Sequence, residues 1–177
     1  MSRHLYLSLP LSLLALVGCD ALPSLQQDAC DHGPWVEQVY GRELALWESC
    51  GTSAPCLEKR AENIEVALAA APDEVDLHRI YQFVRKNHGP EAEKALIEEY
   101  RRRSETRGTA VDLYLYARLL SDDAQKTALY EKAVRLDDSL PWPHEALMEI
   151  YASAGDPEAS DRSRRRFLEL CPRRFEI

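Results

Sequence analysis

Cysteine is the residue type in this 177-residue chain that could take part in the widest range of chemistry. The five cysteines are Cys19, Cys30, Cys50, Cys56 and Cys171. A cysteine thiolate is a nucleophile and a metal ligand, and two cysteines can form a disulfide. The neighbours and the spacing of each cysteine therefore decide which of these reactions is open to it.

Cys19 ends an apolar stretch near the start of the chain. Residues 5–17 are nearly all apolar and follow a weakly basic start. A helix of this length is too short for a bilayer core of roughly 30 Å, and its length is typical of a secretory signal peptide. The closing residues Leu16, Val17, Gly18 and Cys19 resemble the signal of bacterial lipoproteins. The other interpretations are a plain signal peptide and a buried first helix that contains a cysteine.

The resemblance implies that residues 1–18 are removed and that Cys19 carries the lipid. In that family the cysteine sulfur receives a diacylglyceryl group, and the new amino group is commonly acylated. Residues 19–33 then form a tether, because the segment 20–29 has no helical period and contains Pro23. We expect a membrane-anchored protein that faces the periplasm or the cell surface. Asp20 resembles the inner-membrane retention signal of enteric bacteria, and the choice between inner and outer membrane stays open.

The four remaining cysteines suit disulfides in an oxidising compartment. Residues 35–49 read as a helix of about 22 Å, which separates Cys30 from Cys50 by more than the roughly 7 Å that a disulfide spans. Cys50 and Cys56 flank a tight turn, and we predict that they are bonded. Cys30 and Cys171 either pair with each other or stay free. A redox site is the rival interpretation, although the C-x5-C spacing differs from the usual C-x-x-C.

The charge of the mature chain is acidic and unevenly distributed. Residues 19–177 have a formal net charge of −9, all of which falls within residues 20–99. This distribution does not favour nucleic-acid binding, which needs an excess of basic residues on one face. The arginine runs 101–103 and 162–166 are interpreted as solvated helix faces, with an acidic partner or lipid headgroups as the alternative.

Sequence motifs for catalysis, phosphate binding or metalloprotease chemistry are missing from the chain. Cys30, Asp31 and His32 are the one close group of ligand types, whereas a metal site needs three or four converging ligands. We therefore expect neither an enzyme nor a bound cofactor or metal.

Apolar residues recur three and four positions apart from residue 34 onwards, without the alternation typical of strands. Gly, Pro and Asp divide this pattern into eight amphipathic segments. The sequence predicts an all-α protein of antiparallel helix pairs joined by short loops. Residues 34–72 would form an N-terminal hairpin with the predicted disulfide, and residues 73–177 the remaining pairs.

The helix pairs repeat at a step near 34 residues. Leu77 falls on Leu113 at a step of 36, and Leu113 falls on Leu147 at a step of 34. Over residues 56–172, and most clearly from 109, this pattern resembles the tetratricopeptide repeat. Family positions are matched by Tyr130, Ala133, Tyr151, Gly155 and Pro172. The pattern departs from the family at Met148, where a small residue is expected, and the turn between the fifth and sixth helices is about three residues short.

The resemblance implies a short right-handed solenoid of stacked hairpins whose concave groove binds an extended peptide or a partner helix. The groove positions of the family fall on eight residues: Asp76, Arg79, Lys86, Tyr114, Arg118, Trp142, Glu145 and Glu149. Each of these can also be an ordinary exposed helix residue. Trp142, between two prolines, can instead fill the junction between units.

These features support two hypotheses. The first is an envelope lipoprotein that serves as an adaptor or assembly factor for other envelope proteins. The alternative is a cysteine-bearing periplasmic inhibitor, thiol protein or metal-binding protein in which the repeat is only a scaffold.

Overall fold

The structure, a computed structural model, describes residue 30 and residues 34–50 and 53–172. In the first helix it describes the side chains of residues 39, 41–46, 48 and 49 only. The expected signal peptide, Cys19 and the tether 20–29 lie outside the described residues. The described part of the chain is all-helical and contains no strand, as predicted. Its eight helices are α1 (Pro34–Cys50), α2 (Ala54–Ala70), α3 (Val75–Lys86), α4 (Pro90–Thr106), α5 (Ala110–Ala117), α6 (Asp123–Leu136), α7 (Pro141–Ser153) and α8 (Pro157–Leu170).

Local chemistry explains where most helices begin. The first turn of α2, α4, α7 and α8 contains proline, which lacks the N–H group that a first turn leaves unbonded. Thr109, Asp122 and Asp156 cap α5, α6 and α8 by accepting a hydrogen bond from a backbone N–H of the first turn. Gly155 has a φ of 77°, which lets the chain turn sharply between α7 and α8.

The spacing of apolar residues extends the fifth helix to Leu120 and starts the seventh after Pro143, and the structure differs at both boundaries. Helix α5 ends at Ala117, and Leu120, expected within it, follows in a turn where the Leu119 and Leu120 N–H groups bond carbonyls three residues back. Helix α7 begins at Pro141, so Trp142 and Pro143 belong to its first turn rather than preceding it. Two prolines are tolerated there because the first-turn N–H groups have no partner within the helix.

Each helix packs against the next helix of the chain, and α3 also packs against α5. One core cluster extends from α2 to the end of α8. Burial follows the sequence repeat: Leu77, Leu113 and Leu147 are 0%, 3% and 4% exposed. Equivalent positions of α3, α5 and α7 therefore face the core in the same way.

A disulfide joins the two ends of the described fold. Cys30 bonds Cys171 across 141 residues of chain, with 5.4 Å between their Cα atoms. The sulfur of Cys171 lies within the core, and Cys30 packs against it. The structure thereby decides between the two states that the sequence left open for this pair.

For the predicted pair Cys50–Cys56, the structure describes the side chain of Cys56 only. Cys56 is buried and disulfide-bonded. The side chain of Cys50 lies outside the described residues, so the identity of the partner stays a prediction.

Arg103 of α4 links the turn between α2 and α3 to a buried carboxylate at the start of α5. Asp112 is fully buried and forms ion pairs with Arg103 and, at 3.3 Å, with Arg107. Its other polar contact is the hydroxyl of Thr109, which donates at 2.6 Å. Arg103 also donates to the carbonyl oxygen of Pro72 at 2.7 Å. These bonds leave the charge of Asp112 fully compensated.

A second buried ion pair joins α1 to α2. The Arg60 Nε atom donates to Glu43 at 2.9 Å, and both side chains are almost fully buried. Burial raises the pKa of Glu43, and the neighbouring Arg60 opposes that rise.

We expect Asp112→Ala to lower the free energy of unfolding by about 3–5 kcal/mol, because Arg103 would lose its buried counter-charge. Urea denaturation followed by circular dichroism measures this loss. The matched control is Glu98→Ala, which removes an exposed carboxylate that bonds Arg101 at 2.6 Å. That variant should leave the urea midpoint almost unchanged. Equal losses in the two variants would show that the junction is not a main source of stability.

Candidate functional site

Side chains of α3 and α7 meet at Arg79 and Trp142. The guanidinium of Arg79 lies over the Trp142 ring, 4.5 Å from its centroid, in a cation–π contact. Arg79 also donates to the Asp76 carboxylate at 3.2 Å, which fixes the direction of the guanidinium. Trp142 is only 3% exposed. The start of α7 is thus held to a residue one turn into α3.

Gln82 of α3 meets Arg118, the residue directly after α5. Arg118 donates to the Gln82 side-chain oxygen at 3.1 Å and to the Tyr114 hydroxyl at 3.2 Å. The Gln82 amide in turn donates to the carbonyl oxygen of Leu115 at 2.8 Å. Gln82 and Tyr114 are both buried, and Arg118, which is half-buried, is the most accessible of the three. We call the residues Asp76, Arg79, Gln82, Tyr114, Arg118 and Trp142 the polar cluster.

Two acidic residues of α7 act electrostatically on Tyr114 of the polar cluster and on the neighbouring Tyr130. Burial raises the pKa of Tyr114, Arg118 and Arg79 lower it, and Glu145 raises it. Burial likewise raises the pKa of Tyr130, to which Glu149 contributes. Both phenols are therefore neutral at pH 7 and can donate or accept a hydrogen bond. Glu149 is exposed and Glu145 half-buried, so this surface presents both signs of charge.

The structure brings together most of the residues that the resemblance assigns to a groove. Arg79 contacts both Asp76 and Trp142, and Arg118 contacts Tyr114. Glu145 acts electrostatically on Tyr114, and Glu149 acts on Tyr130, which lies against Tyr114. Lys86 does not join the polar cluster; it is exposed and pairs with Glu93 of α4 at 3.2 Å. The rings of Tyr114 and Trp142 are packed between helices rather than presented to solvent. Trp142 therefore occupies the junction position named above as its alternative.

Sequence reasoning missed Gln82 and Tyr130. Gln82 precedes Arg118 by 36 residues, the same step that relates Leu77 to Leu113, so the two bonded residues occupy equivalent positions. A single glutamine carries no recognisable pattern without that step. Tyr130 contacts Tyr114, with ring centroids 5.8 Å apart, and was noted only as a repeat position.

A cleft of about 340 Å³ lies between α6, α7 and α8. Tyr151 donates to Glu131 at 2.7 Å, and Arg166 pairs with Asp138 at 2.7 Å. Burial and Glu131 raise the pKa of Tyr151 to about 12. Because these charged groups already neutralise one another, the polar cluster is the better candidate for binding.

The described residues contain no group of three or more His, Cys, Asp and Glu side chains that could hold a metal. No helix among them is both long enough and apolar enough to cross a bilayer. Comparison of the chain with protein-family models and with curated proteins finds no match. The repeat interpretation therefore depends on the residues and contacts described above.

One buried titratable group of α3 contacts α4 and the turn before α3. His78 is buried, accepts a hydrogen bond from the Tyr100 hydroxyl at 2.7 Å and contacts the Pro72 carbonyl oxygen at 2.8 Å through its Nε2 atom. Burial lowers its pKa to about 4, against the opposing effect of the Pro72 carbonyl. The neutral tautomer with the proton on Nε2 satisfies both contacts.

We expect stability to fall as the pH drops from 6.5 towards 4, because unfolded His78 takes up a proton in this range and the folded residue does not. This term should lower the free energy of unfolding by about 2 kcal/mol between pH 7.5 and pH 5. Urea denaturation of the wild type and of His78→Gln at the two pH values measures it. The glutamine variant should show a smaller change than the wild type; an identical change would contradict the assignment.

Proposed function

We propose that this chain is a membrane-anchored lipoprotein of the bacterial envelope that acts as an adaptor or assembly factor for other proteins. The anchor would be lipid on Cys19, for which the support is the sequence from Leu16 to Cys19. The binding element would be a short solenoid of helix hairpins similar to tetratricopeptide repeats. It would present the surface formed by the polar cluster with Glu145 and Glu149.

The observation that carries the binding proposal is the contact between first helices of successive pairs. In stacked hairpins, the first helix of each pair lines the concave face. The sequence repeat makes α3, α5 and α7 those first helices. Gln82 contacts Arg118 and Arg79 contacts Trp142, so side chains from all three helices meet at one surface. This arrangement is what a tightly curved concave face requires.

The charges at this surface suit a peptide or helix that presents polar groups. Arg79 and Arg118 can donate to carbonyl or carboxylate oxygens, and Glu145 and Glu149 can accept from amides or ammonium groups. Tyr114 and Trp142 stiffen the surface because their rings are buried. Recognition through partly exposed charges predicts binding that weakens with salt.

The alternative function, a thiol or metal-binding protein or an inhibitor built on the cysteines, receives no support from the described cysteines. Cys30, Cys56 and Cys171 are all disulfide-bonded.

Lipidation predicts that Cys19→Ala abolishes incorporation of a clickable palmitate analogue in a bacterial host. The sulfur of Cys19 is the acceptor, so no other cysteine should replace it. The control, Cys30→Ala with Cys171→Ala, should keep the label. The incorporated label is the measurement, since an uncleaved apolar segment could itself hold the precursor on a membrane. Persistent labelling of Cys19→Ala would refute the proposed anchor.

Adaptor function predicts that exchanging charges at the polar cluster weakens partner capture. We expect Arg118→Glu with Glu149→Arg, which keeps the net charge, to reduce the yield of crosslinked partners about tenfold, equivalent to about 1.4 kcal/mol. The matched control is Glu91→Lys with Lys94→Glu, an exchange within an exposed ion pair of α4. Mass spectrometry after crosslinking in the envelope measures the yield, and circular dichroism confirms folding. If wild type and charge exchange enrich the same proteins equally, this surface is not the binding site.

A further inference from the structure

The disulfide places one end of the fold close to the lipid anchor. Cys30 lies eleven residues after Cys19, and it is bonded to Cys171, directly after α8. An extended segment of eleven residues spans at most about 40 Å. If Cys19 is lipidated, as the proposed function states, the C-terminal end of α8 stays within that distance of the bilayer surface.

The two halves of α8 differ in net charge. The first half contains Glu158, Asp161 and Arg162, whereas the second half contains Arg164, Arg165, Arg166 and Glu169. Arg162 pairs with Glu158 at 2.8 Å. Arg166 is neutralised by Glu169 at 3.0 Å and by Asp138.

Arg164 and Arg165 are the unpaired cations of this helix. Both are exposed, and neither forms an ion pair with a residue in the part of the chain that the structure describes. The helix is anchored to the core through Ser163 and Phe167, which are buried beside them. The two guanidinium groups are therefore held on a rigid support at the end of the fold nearest the tether.

We propose that the C-terminal half of α8 docks on anionic phospholipid headgroups through Arg164 and Arg165. Guanidinium groups bind phosphate oxygens in a bidentate manner, and each basic residue at an anionic surface strengthens binding about fivefold. The tether confines α8 near the bilayer, which gives the headgroups a high effective concentration around the two arginines. Even a weak headgroup site is therefore occupied. The rest of the body is acidic and is repelled by the same surface. The result is an oriented body, with α8 towards the membrane.

An acidic protein is the other macromolecule that two arginines could bind. The observation that favours lipid is the Cys30–Cys171 bond, which holds these arginines beside the anchored segment. A protein partner would not require this position.

The test uses the full lipidated protein, reconstituted into vesicles of phosphatidylcholine alone or with phosphatidylglycerol. Phenylglyoxal modifies accessible arginines, and peptide mass spectrometry measures the rate at each position. We expect modification of Arg164 and Arg165 to slow at least threefold in the phosphatidylglycerol vesicles and to recover in high salt. Arg102, exposed on α4, is the internal control and should react equally in both vesicles.

The outcomes separate this proposal from the proposed anchor. Protein that floats with neither kind of vesicle contradicts the lipidation itself. Protein that floats with both but shows equal reactivity of Arg164 and Arg165 overturns headgroup docking and leaves the anchor intact. Slowing that appears only when envelope proteins are added assigns the arginines to a protein partner and also overturns the proposal. Peptides prepared without reduction must contain the Cys30–Cys171 link. Its absence overturns the proposal, because nothing else holds α8 close to Cys19.

Discussion

The buried carboxylate of Asp112 is the constraint on which the arrangement of the first helices depends. A charge without access to water requires several partners, and Arg103, Arg107 and Thr109 supply them from the end of α4 and the start of α5. Because Arg103 also bonds Pro72, the same charge fixes the turn before α3. The turns that start α3 and α5 are therefore joined, and the two helices run side by side in a fixed register. The contact of Gln82 with Arg118 follows from that register.

The eight helices could be predicted from the sequence because the signals are local. Apolar spacing of three and four identifies each helix, and Pro, Gly and Asp mark the breaks. The early end of α5 could not be predicted, because Arg118, directly after it, bonds Gln82 at a distance of 36 residues in sequence. The burial of Trp142 has a similar origin, since the group that covers its ring is Arg79, 63 residues earlier in the chain. Periodicity alone cannot tell a ring in a groove from a ring between helices.

The cysteines show the same division between local and distant information. Cys50 and Cys56 are six positions apart and flank a tight turn, so their spacing is enough to predict that they pair. Cys30 and Cys171 meet only through the packing of the helices that lie between them in sequence. That packing depends on side chains at every junction, and no short stretch of sequence encodes its result. Packing over several helices also lets Arg79 on α3 reach Trp142 on α7. The end-to-end disulfide and the polar cluster are therefore two consequences of one packing geometry.

That geometry also limits what the proposed binding surface can accept. Arg79 and Arg118 already have partners, which are the Asp76 carboxylate and the Trp142 ring for the first, and two neutral oxygens for the second. A guest carboxylate would form an ion pair with Arg118, whose present acceptors are neutral, and a neutral guest would lack this Coulomb attraction. Any guest that displaced Arg118 from Gln82 would leave the oxygen of that buried side chain without a donor, so the guest must bind N–H groups of the guanidinium that Gln82 and Tyr114 do not use. Arg79 lacks this advantage because it already binds a carboxylate. The surface thus favours a guest whose acidic group faces α5 and whose basic group faces Glu145 and Glu149, which gives the bound segment a direction.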